Sequence, residues 1–303
     1  MKILVTGHEG YVGAGMIRFL QEKHELIGWN RKQDIRTIEA HDIKSAGIQT
    51  VINCAAVTDR ITQQFAINSL SDQVNVGGLR AIVQALKGTE IPLIHISTKD
   101  VFGNVFGSDD VTEDRLSYKP KFLVDENRPF SPQTIYAKSK LMAEFVVESH
   151  PEAATIRLSS CYTDFDHRNG SWIVKIARSL NDGEPVTVTS GGKQFRDLLH
   201  VNDLAILIEK IIEKRQFGLK LNAGGGSENI HSVLEAIHMF SKNPVIHTSE
   251  PDDDFGFAFD NQLAEALLDW RPQIKFSDRI SLILDNINNQ RFANHESSPP
   301  SRR

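Results

Sequence analysis

The sequence predicts an α/β protein in which a doubly wound parallel sheet carries a smaller C-terminal lobe. Short aliphatic segments that fit buried strands alternate with amphipathic segments of helical period, beginning with residues 2–5 and a helix to about Lys23. A glycine-rich turn joins that first strand to the helix. The 303 residues, 40% hydrophobic and 24% charged, can bury a substantial core.

Composition argues against several classes of function. The net charge of -5 gives no reason to expect nucleic acid or an anionic membrane as a partner. Two cysteines, Cys54 and Cys161, are too few for a disulfide framework, which fits a reducing cytoplasm. No apolar run is long enough to span a membrane and no signal-peptide core follows Met1, so we expect a cytoplasmic protein. The eleven histidines lack ligand spacing, and we expect no metal site.

The glycines after the first strand predict a dinucleotide site of the Rossmann type. Gly7 permits a tight turn, Gly10 lets backbone approach a pyrophosphate, and Gly13 lets the helix pack on the strand. Their spacing is G-x-x-G-x-x-G rather than G-x-G-x-x-G, and a purely structural turn is the alternative. Further cofactor-binding candidates in this turn are His8, Tyr11 and Val12.

The end of the second strand, Glu25–Trp29, bears on the choice of cofactor. Such folds place an acid here against the ribose 2'-hydroxyl of NAD, but this chain has Asn30, Arg31 and Lys32. A 2'-phosphate would meet cations, so the sequence favours NADP(H), with NAD(H) possible. The alternative is that both cations are solvated loop charges.

Small residues follow the next strand, Thr50–Asn53. Cys54, Ala55 and Ala56 would let backbone lie against a cofactor, although a tightly packed strand end would also favour alanine. A helix is predicted over residues 65–87. It contains Asn75 and a glycine pair that indicates either close packing or a helix break.

A fourth apolar strand, Leu93–Thr98, and a later helix supply the candidate catalytic groups. Thr98 stands at the carboxyl end of the strand, where ligands bind in doubly wound sheets. Tyr136 and Lys140 are four residues apart, so on a helix they share one face. An ammonium beside a phenol stabilises the phenolate and lowers its pKa towards neutrality. Such a pair also occurs by chance, and Thr98 could simply cap backbone.

These segments together resemble the extended short-chain dehydrogenase/reductase superfamily of nucleotide-sugar epimerases, dehydratases and reductases. The similarity continues at residues 196–204, which fit R-D-x-x-H-V-x-D-L, and at residues 268–272, which are similar to L-G-W-x-P. The resemblance implies that Thr98, Tyr136 and Lys140 are catalytic. It also implies that the cofactor-binding set includes Asn75, Ser97, Tyr136 and Lys140.

Within the superfamily, the details resemble reductases. Residues 7–13 are similar to the G-H-x-G-M-V-G of GDP-fucose synthases. Residues 33–35, 96–102 and 157–159 resemble patterns of dTDP-4-dehydrorhamnose reductases, which adds Asp34 and Ile35 to the cofactor-binding candidates. Both groups use NADPH.

Three departures concern the substrate. Ser160 stands where galactose-type epimerases have asparagine, and residues 250–254 are acidic where those enzymes hold the substrate diphosphate with arginine. A nucleotide diphosphate would then need compensation from Lys193, Arg196 or Arg271. Lys99 also replaces the aspartate of the rhamnose-type pattern. The substrate-binding candidates are Thr98, Ser160, Lys193 and Arg196.

The predicted domain organisation interleaves two lobes. Residues 1–165 form the dinucleotide-binding domain, with returning segments at about 195–223. Residues 166–194 and 224–293 form the substrate-binding lobe, and the polar tail at 294–303 is expected to be disordered. Residues 107–127 form a long loop that is a lid, an oligomer contact or a tolerated insertion. By resemblance, helices beside Tyr136 pair in a homodimer.

The favoured function is NADPH-dependent reduction of a keto sugar, a 4-keto nucleotide-sugar by resemblance. Tyr136 would donate the proton, Lys140 would hold the nicotinamide ribose, and Thr98 would orient the carbonyl. One alternative is an epimerase or dehydratase that holds NAD tightly and returns the hydride. Another is a non-catalytic NADP-binding subunit resembling the regulatory subunit of methionine adenosyltransferase.

Overall fold

The computed structural model describes residues 1–64, 66–165, 170–250 and 253–296, with side chains described up to residue 289. The strands are β1 (Lys2–Thr6), β2 (Glu25–Trp29), β3 (Thr50–Asn53), β4 (Leu93–Thr98), β5 (Val111–Glu113), β6 (Tyr118–Pro120), β7 (Ala153–Leu158), β8 (Ser160–Tyr162), β9 (Val186–Val188), β10 (Phe195–His200), β11 (Lys220–Ala223), β12 (Ile230–Ser232), β13 (Ile246–Thr248) and β14 (Gly256–Phe257). The helices are α1 (Tyr11–Leu20), α2 (Ala40–Ser45), α3 (Gly78–Ala85), α4 (Ile135–Val147), α5 (Trp172–Asn181), α6 (Val201–Glu213), α7 (Val233–Phe240), α8 (Gln262–Leu268) and α9 (Ile280–Glu296).

Six parallel strands form the main sheet, in the order β11-β7-β4-β3-β1-β2. Alternate residues of β1 face opposite sides: Ile3 and Val5 join a core with α1, α6 and α8, whereas Leu4 joins a core with α2, α3 and α4. Both faces of the sheet are therefore covered by helices. The predicted doubly wound parallel fold is confirmed.

Strands β2 and β3 pair with opposite edges of β1, so the direction in which strands are added to the sheet reverses at β1. Ligands bind at such a reversal point, beyond the carboxyl ends of the strands. In the described part of the chain no strand lies outside β2. Instead, two short 3-10 turns follow it, and the side chains of Asn30 and Asp34 accept the backbone N–H groups of Lys32 and Arg36. Such local bonds compete with strand pairing.

The smaller lobe is built on a second sheet. β10 is its central strand, with β12 antiparallel on one side and β14 parallel on the other, and its carboxyl half pairs with β8. Helices α5, α7 and α9 pack around Tyr162 and Phe276. β11 returns to the edge of the main sheet beside β7, so the chain crosses between the two sheets more than once. The predicted division into two lobes stays a prediction.

The long loop at residues 107–127 is folded against the smaller lobe. It contains the β5-β6 hairpin, and the backbone N–H of Tyr118 donates to the carbonyl oxygen of Lys193 at 2.8 Å. Phe106, just before it, stacks on Phe122 at 4.7 Å and meets Phe195 edge-on at 5.0 Å. The segment therefore contributes to the apolar core of the lobe.

Two predicted segments differ from the structure. The helix predicted over residues 65–87 becomes a π-helical turn, Asp72–Gly77, followed by α3; Phe65 lies outside the described residues. Close packing explains one glycine, since a Cβ on Gly78 would lie 2.5 Å from Ile35 Cγ2. Helix α9 continues to Glu296, past Asn294, where the disordered tail is expected to begin, and residues 297–303 lie outside the described chain.

Candidate active site

The glycine turn has the geometry of a cofactor cradle. Gly7 has φ +69°, and a Cβ there would lie 2.6 Å from the backbone nitrogen of Ala55. A Cβ on Gly13 would lie 2.4 Å from the carbonyl oxygen of Gly7. Gly10 is the N-cap of α1 and offers no side chain to its first N–H groups. An uncapped helix N-terminus with close backbone is suited to a phosphate group.

The other residues of this turn are packed into the protein. A Cβ on Gly28 would lie 2.5 Å from the ring of His8, so the imidazole covers β2. Burial raises the pKa of Tyr11, and the nearby Ser171 and Thr163 oppose that rise. Val12 packs on the core shared by α1 and α6. Through these contacts, the side chains of His8, Tyr11 and Val12 help to fix the conformation of the turn.

The polar end of β2 combines both signs of charge. Asn30 accepts the N–H of Lys32 at 2.9 Å and donates to Glu9 Oε1 at 3.1 Å. Arg31 and Lys32 are exposed, and within the described residues neither forms an ion pair. Asp34 is paired with Arg36, whose hydrogen bonds hold the pKa of that carboxyl below its usual value. Ile35 is buried.

The side chain of Asn75 holds the loop that follows β3. Its Oδ1 accepts the N–H of Val57 at 2.7 Å, and its Nδ2 donates to Val57 O at 3.0 Å and to Ser139 Oγ at 2.8 Å. Asn75 therefore connects this loop to α4 through direct hydrogen bonds. In the loop itself, burial raises the pKa of the Cys54 thiol, and Ala55 crowds Gly7.

Thr98 and Tyr136 meet at the carboxyl edge of the sheet. Thr134 caps α4 by accepting the N–H of Ala137 at 3.2 Å, which puts Tyr136 in the first turn of the helix. The phenol is 6% exposed, and the nearby Thr98 hydroxyl lowers its pKa. Burial raises the pKa of Tyr136, and the positive charge of Arg60 opposes that rise. The predicted threonine–tyrosine pair is thus assembled.

Lys140 lies one turn deeper and points towards β4. Its Nζ donates to Ile96 O at 2.5 Å and lies 3.2 Å from His95 Nε2. Burial lowers its pKa from 10.5 to about 8, with the Glu144 carboxylate opposing. On its other side, the imidazole of His95 lies 3.0 Å from Asn53 Nδ2. The amine therefore joins a buried polar chain in the sheet.

Ser97 belongs to a buried ion-pair cluster. Its hydroxyl donates to Glu144 Oε1 at 2.5 Å, and Glu144 pairs with Arg157 at 2.8 Å, both side chains being 1% exposed. The Arg157 guanidinium carbon also lies 5.2 Å and 4.9 Å from the ring centres of Phe102 and Phe130. In the structure, Ser97 is thus bonded within the protein and supports the floor of the site.

The cations that sequence assigned to the substrate are already paired. Lys193 Nζ lies 2.5 Å from Glu113, Arg196 Nη2 lies 2.6 Å from Asp254 Oδ2, and Arg271 is paired with Glu265. Of the acidic segment at residues 250–254, positions 251 and 252 lie outside the described chain. Ser160 opens β8 and is half-buried beside Leu198 of β10.

Phe257 connects Arg196 to the catalytic edge, which is the carboxyl edge of the sheet where Thr98 and Tyr136 meet. It pairs with Arg196 between β14 and β10, and the Nζ of Lys99 lies 5.0 Å from the centre of its ring. Lys99 in turn pairs with Asp100 at 3.2 Å.

The sequence did not reveal the contribution of Asp100 and Arg60. These two residues are far apart in the chain, and neither stands at a characteristic spacing from Tyr136.

The described residues contain no group of three histidine, cysteine, aspartate or glutamate side chains arranged to hold a metal ion. None of their helices combines the length and the apolar character needed to cross a membrane.

A glycine cradle at the reversal point of a parallel sheet, with a threonine–tyrosine pair at the same edge, defines the class of dinucleotide-binding α/β enzymes. The chain belongs to the NAD dependent epimerase/dehydratase family, whose model matches residues 3–224. This membership confirms the predicted superfamily and enzyme class.

Individual relatives are distant but nearly full-length. The low-salt glycan biosynthesis protein Agl12 of Haloferax volcanii is 23% identical over 94% of this chain and 98% of its own. A dTDP-glucose 4,6-dehydratase of Mycobacterium tuberculosis (strain H37Rv) is 22% identical over 90% and 88%. UDP-glucuronic acid 4-epimerase from Bacillus cereus, solved with UDP-glucuronic acid and NAD, superimposes with a TM-score of 0.80 at 20% identity, covering 96% of this chain and 100% of that one.

A second solved structure has the same fold. The dTDP-glucose 4,6-dehydratase of Bacillus anthracis in complex with NAD has a TM-score of 0.77 at 20% identity and covers 95% of this chain and 97% of its own. These relatives agree better with the alternative of an epimerase or dehydratase than with the favoured keto-sugar reductase. The cofactor in both solved structures is NAD rather than NADP.

Proposed function

We propose that the chain is an NAD-dependent nucleotide-sugar epimerase or dehydratase that returns the hydride to the sugar within each turnover. The observation that carries this proposal is the approach of the Thr98 hydroxyl to the buried phenol of Tyr136, whose pKa it lowers, at the sheet edge that also carries the glycine cradle. Family membership supports it, as do the names of the relatives. When bound, NAD would accept a hydride from a sugar carbon and later give it back.

The protein's own contribution is proton transfer and orientation. The Tyr136 phenolate would take the proton from the sugar hydroxyl as that carbon is oxidised, and the phenol would return it at the end. The Thr98 hydroxyl, beside the same phenol, would hold the reacting oxygen in line. Lys140 would hold the nicotinamide ribose through the ammonium N–H that Ile96 O and His95 leave available.

The cofactor is proposed to be NAD, with the glycine cradle and the uncapped end of α1 receiving the pyrophosphate. The carboxylate of Glu9 lies at Asn30, beside the expected ribose, and would favour a free 2'-hydroxyl over a 2'-phosphate. The exposed Arg31 and Lys32 favour a second candidate, an NADPH-dependent reductase of a 4-keto nucleotide-sugar.

The proposed substrate carries a nucleotide diphosphate. Arg196 would bind it after leaving Asp254, because its side chain is 18% exposed and Phe257 connects it with the catalytic edge. Ser160 and Lys193 line the same lobe and are proposed to contact the substrate. A homodimer through α4 is also proposed, since Met142 and Phe145 expose apolar surface on that helix.

The proposal is tested in two steps. Mass spectrometry of nucleotide released from purified protein should identify NAD. Incubation with UDP-glucuronic acid, UDP-glucose and dTDP-glucose should then convert one of them with no net change in NADH absorbance. Tyr136→Phe should retain NAD and lose at least about 100-fold in kcat, and Tyr118→Phe in the β5-β6 hairpin serves as the matched control.

Other results would contradict the proposal. Stoichiometric NADPH oxidation by a 4-keto nucleotide-sugar would establish the reductase instead. Full turnover by Tyr136→Phe would remove the tyrosine from the mechanism in either case.

A further inference from the structure

The loop between β3 and α3 is fixed against the start of α4. Two α4 N–H groups donate to it: Ile135 N to Thr62 O at 2.7 Å, and Tyr136 N to Asp59 O at 3.2 Å. The Asp59 carboxylate in turn accepts the N–H of Thr62 at 3.0 Å, which closes the loop on itself. Arg60, one of the two residues between these anchors, is therefore held at the first turn of α4.

Arg60 bridges two elements of the catalytic edge. Its guanidinium carbon lies 5.2 Å from the centre of the Tyr136 ring, and its Nε donates to Asp100 Oδ2 at 3.0 Å. Asp100 follows β4 and also pairs with Lys99 at 3.2 Å. Two cations and one carboxylate meet here, so a net positive charge lies beside the phenol.

We propose that Arg60 is a positioning residue for proton transfer at Tyr136, with its guanidinium, anchored by Asp100, supplying positive charge that helps to stabilise the phenolate. This inference rests on the proposed function, in which Tyr136 accepts a proton. The charge of Arg60 adds to that expected from Lys140, whose amine is bonded to Ile96 O deeper in the sheet.

The electrostatics around the phenol support this assignment. Burial raises the pKa of Tyr136, the charge of Arg60 lowers it, and the charge of the Asp100 carboxylate raises it. The other ionisable groups nearby are Lys99, neutralised by Asp100, and Lys140 on the same helix. The side chain of Arg60 is 62% exposed, so solvent screens its charge. We therefore expect it to lower the pKa of Tyr136 by an amount at the lower end of the range that a neighbouring opposite charge causes.

The test compares Arg60→Gln with Arg60→Lys in the presence of NAD. The phenol of Tyr136 is titrated by tyrosinate difference absorbance, with Tyr136→Phe as the blank that isolates its signal. Arg60→Gln should move the midpoint upward by about one pH unit, and Arg60→Lys, which keeps the charge, should lie closer to the parent. Arg215→Gln is the control, since that exposed arginine also pairs with a carboxylate and an aromatic ring, far from the site.

Turnover gives a second readout. With whichever of UDP-glucuronic acid, UDP-glucose or dTDP-glucose is converted, the acid limb of kcat/KM should move upward with the phenol midpoint in Arg60→Gln. Below that limb, turnover should fall about tenfold.

Three results would overturn the inference. They are an unchanged midpoint in Arg60→Gln, a coincident midpoint in the Gln and Lys variants, or a loss of turnover with no movement of the acid limb. Failure of the proposed function is distinguishable, because full turnover by Tyr136→Phe would refute that function while the absorbance titration still reports the effect of Arg60 on the phenol.

Discussion

Replacing Lys140 by methionine should make the protein more stable at neutral pH. Burial lowers the pKa of the amine from its ordinary 10.5 to about 8, so the unfolded chain binds its proton more tightly than the folded one does. Below pH 8 the lysine is charged in both states, and the difference of about 2.5 pKa units corresponds to about 3 kcal/mol of lost stability. Losing the bonds to Ile96 O and His95 offsets about 1 kcal/mol of the gain.

The size of this stabilisation decreases as the pH rises. As pH rises from about 8 towards 10.5 the unfolded state also loses its proton, and the cost of burying Lys140 disappears. Urea unfolding of parent and Lys140→Met at about pH 7 and about pH 10 should therefore show an advantage of about 2 kcal/mol for the variant that vanishes at the higher pH. Lys175→Met, on the exposed face of α5, should follow the parent at both.

The reasoning would be refuted by parallel stability curves for parent and Lys140→Met across this range. A variant that is less stable than the parent at pH 7 would refute it equally, because it would mean that the two hydrogen bonds outweigh the desolvation of the ammonium.

Three further changes have expected outcomes. Glu144→Gln leaves Arg157 buried without its counter-charge and should cost about 3–5 kcal/mol in urea unfolding. Gly13→Ala puts a Cβ 2.4 Å from a carbonyl oxygen of the glycine turn, so the turn must shift and NAD affinity, measured by calorimetry, should fall at least about tenfold. Asp254→Asn frees Arg196 and should tighten UDP binding by about fivefold at low salt, again by calorimetry.

Each of these changes has a matched control. Glu228→Gln breaks the exposed pair with Lys275 and should cost less than about 1 kcal/mol; an equal loss in Glu144→Gln would contradict the buried-pair argument. Gly77→Ala meets nothing closer than 3.9 Å and should bind NAD like the parent, as Gly13→Ala should not. Arg196→Gln should weaken UDP binding, and unchanged affinity in it and in Asp254→Asn would place the diphosphate elsewhere.

The fold was predictable because its signals are local. The strand bounds Glu25–Trp29, Thr50–Asn53 and Leu93–Thr98 follow from short apolar runs and agree with the structure. The glycine turn has the conformation that its spacing indicates, with a positive φ at Gly7. In both cases the residues that decide the structure are neighbours in the chain.

The site was less predictable because its decisive contacts join distant residues. The four-residue spacing places Tyr136 and Lys140 on one helical face, but it does not show that the amine turns to Ile96 O. The contact of Arg60 with Tyr136 depends on how the loop after β3 folds back on α4. Side-chain direction and long-range pairing are properties of the packed protein, and no pattern along the chain encodes them directly.

Arg60 and Lys140, the two cations near the Tyr136 phenol, differ in how much they destabilise the folded protein. Arg60 stays largely in solvent and is held by Asp100, so its charge is retained with little desolvation. Lys140 is buried, and an ammonium has three N–H donors, whereas the acceptors found for it in the described residues are one carbonyl and one imidazole. A ribose hydroxyl at its third N–H would stabilise the charged form. Bound NAD should therefore stabilise the parent more than it stabilises Lys140→Met, because only the parent regains the solvation lost on folding.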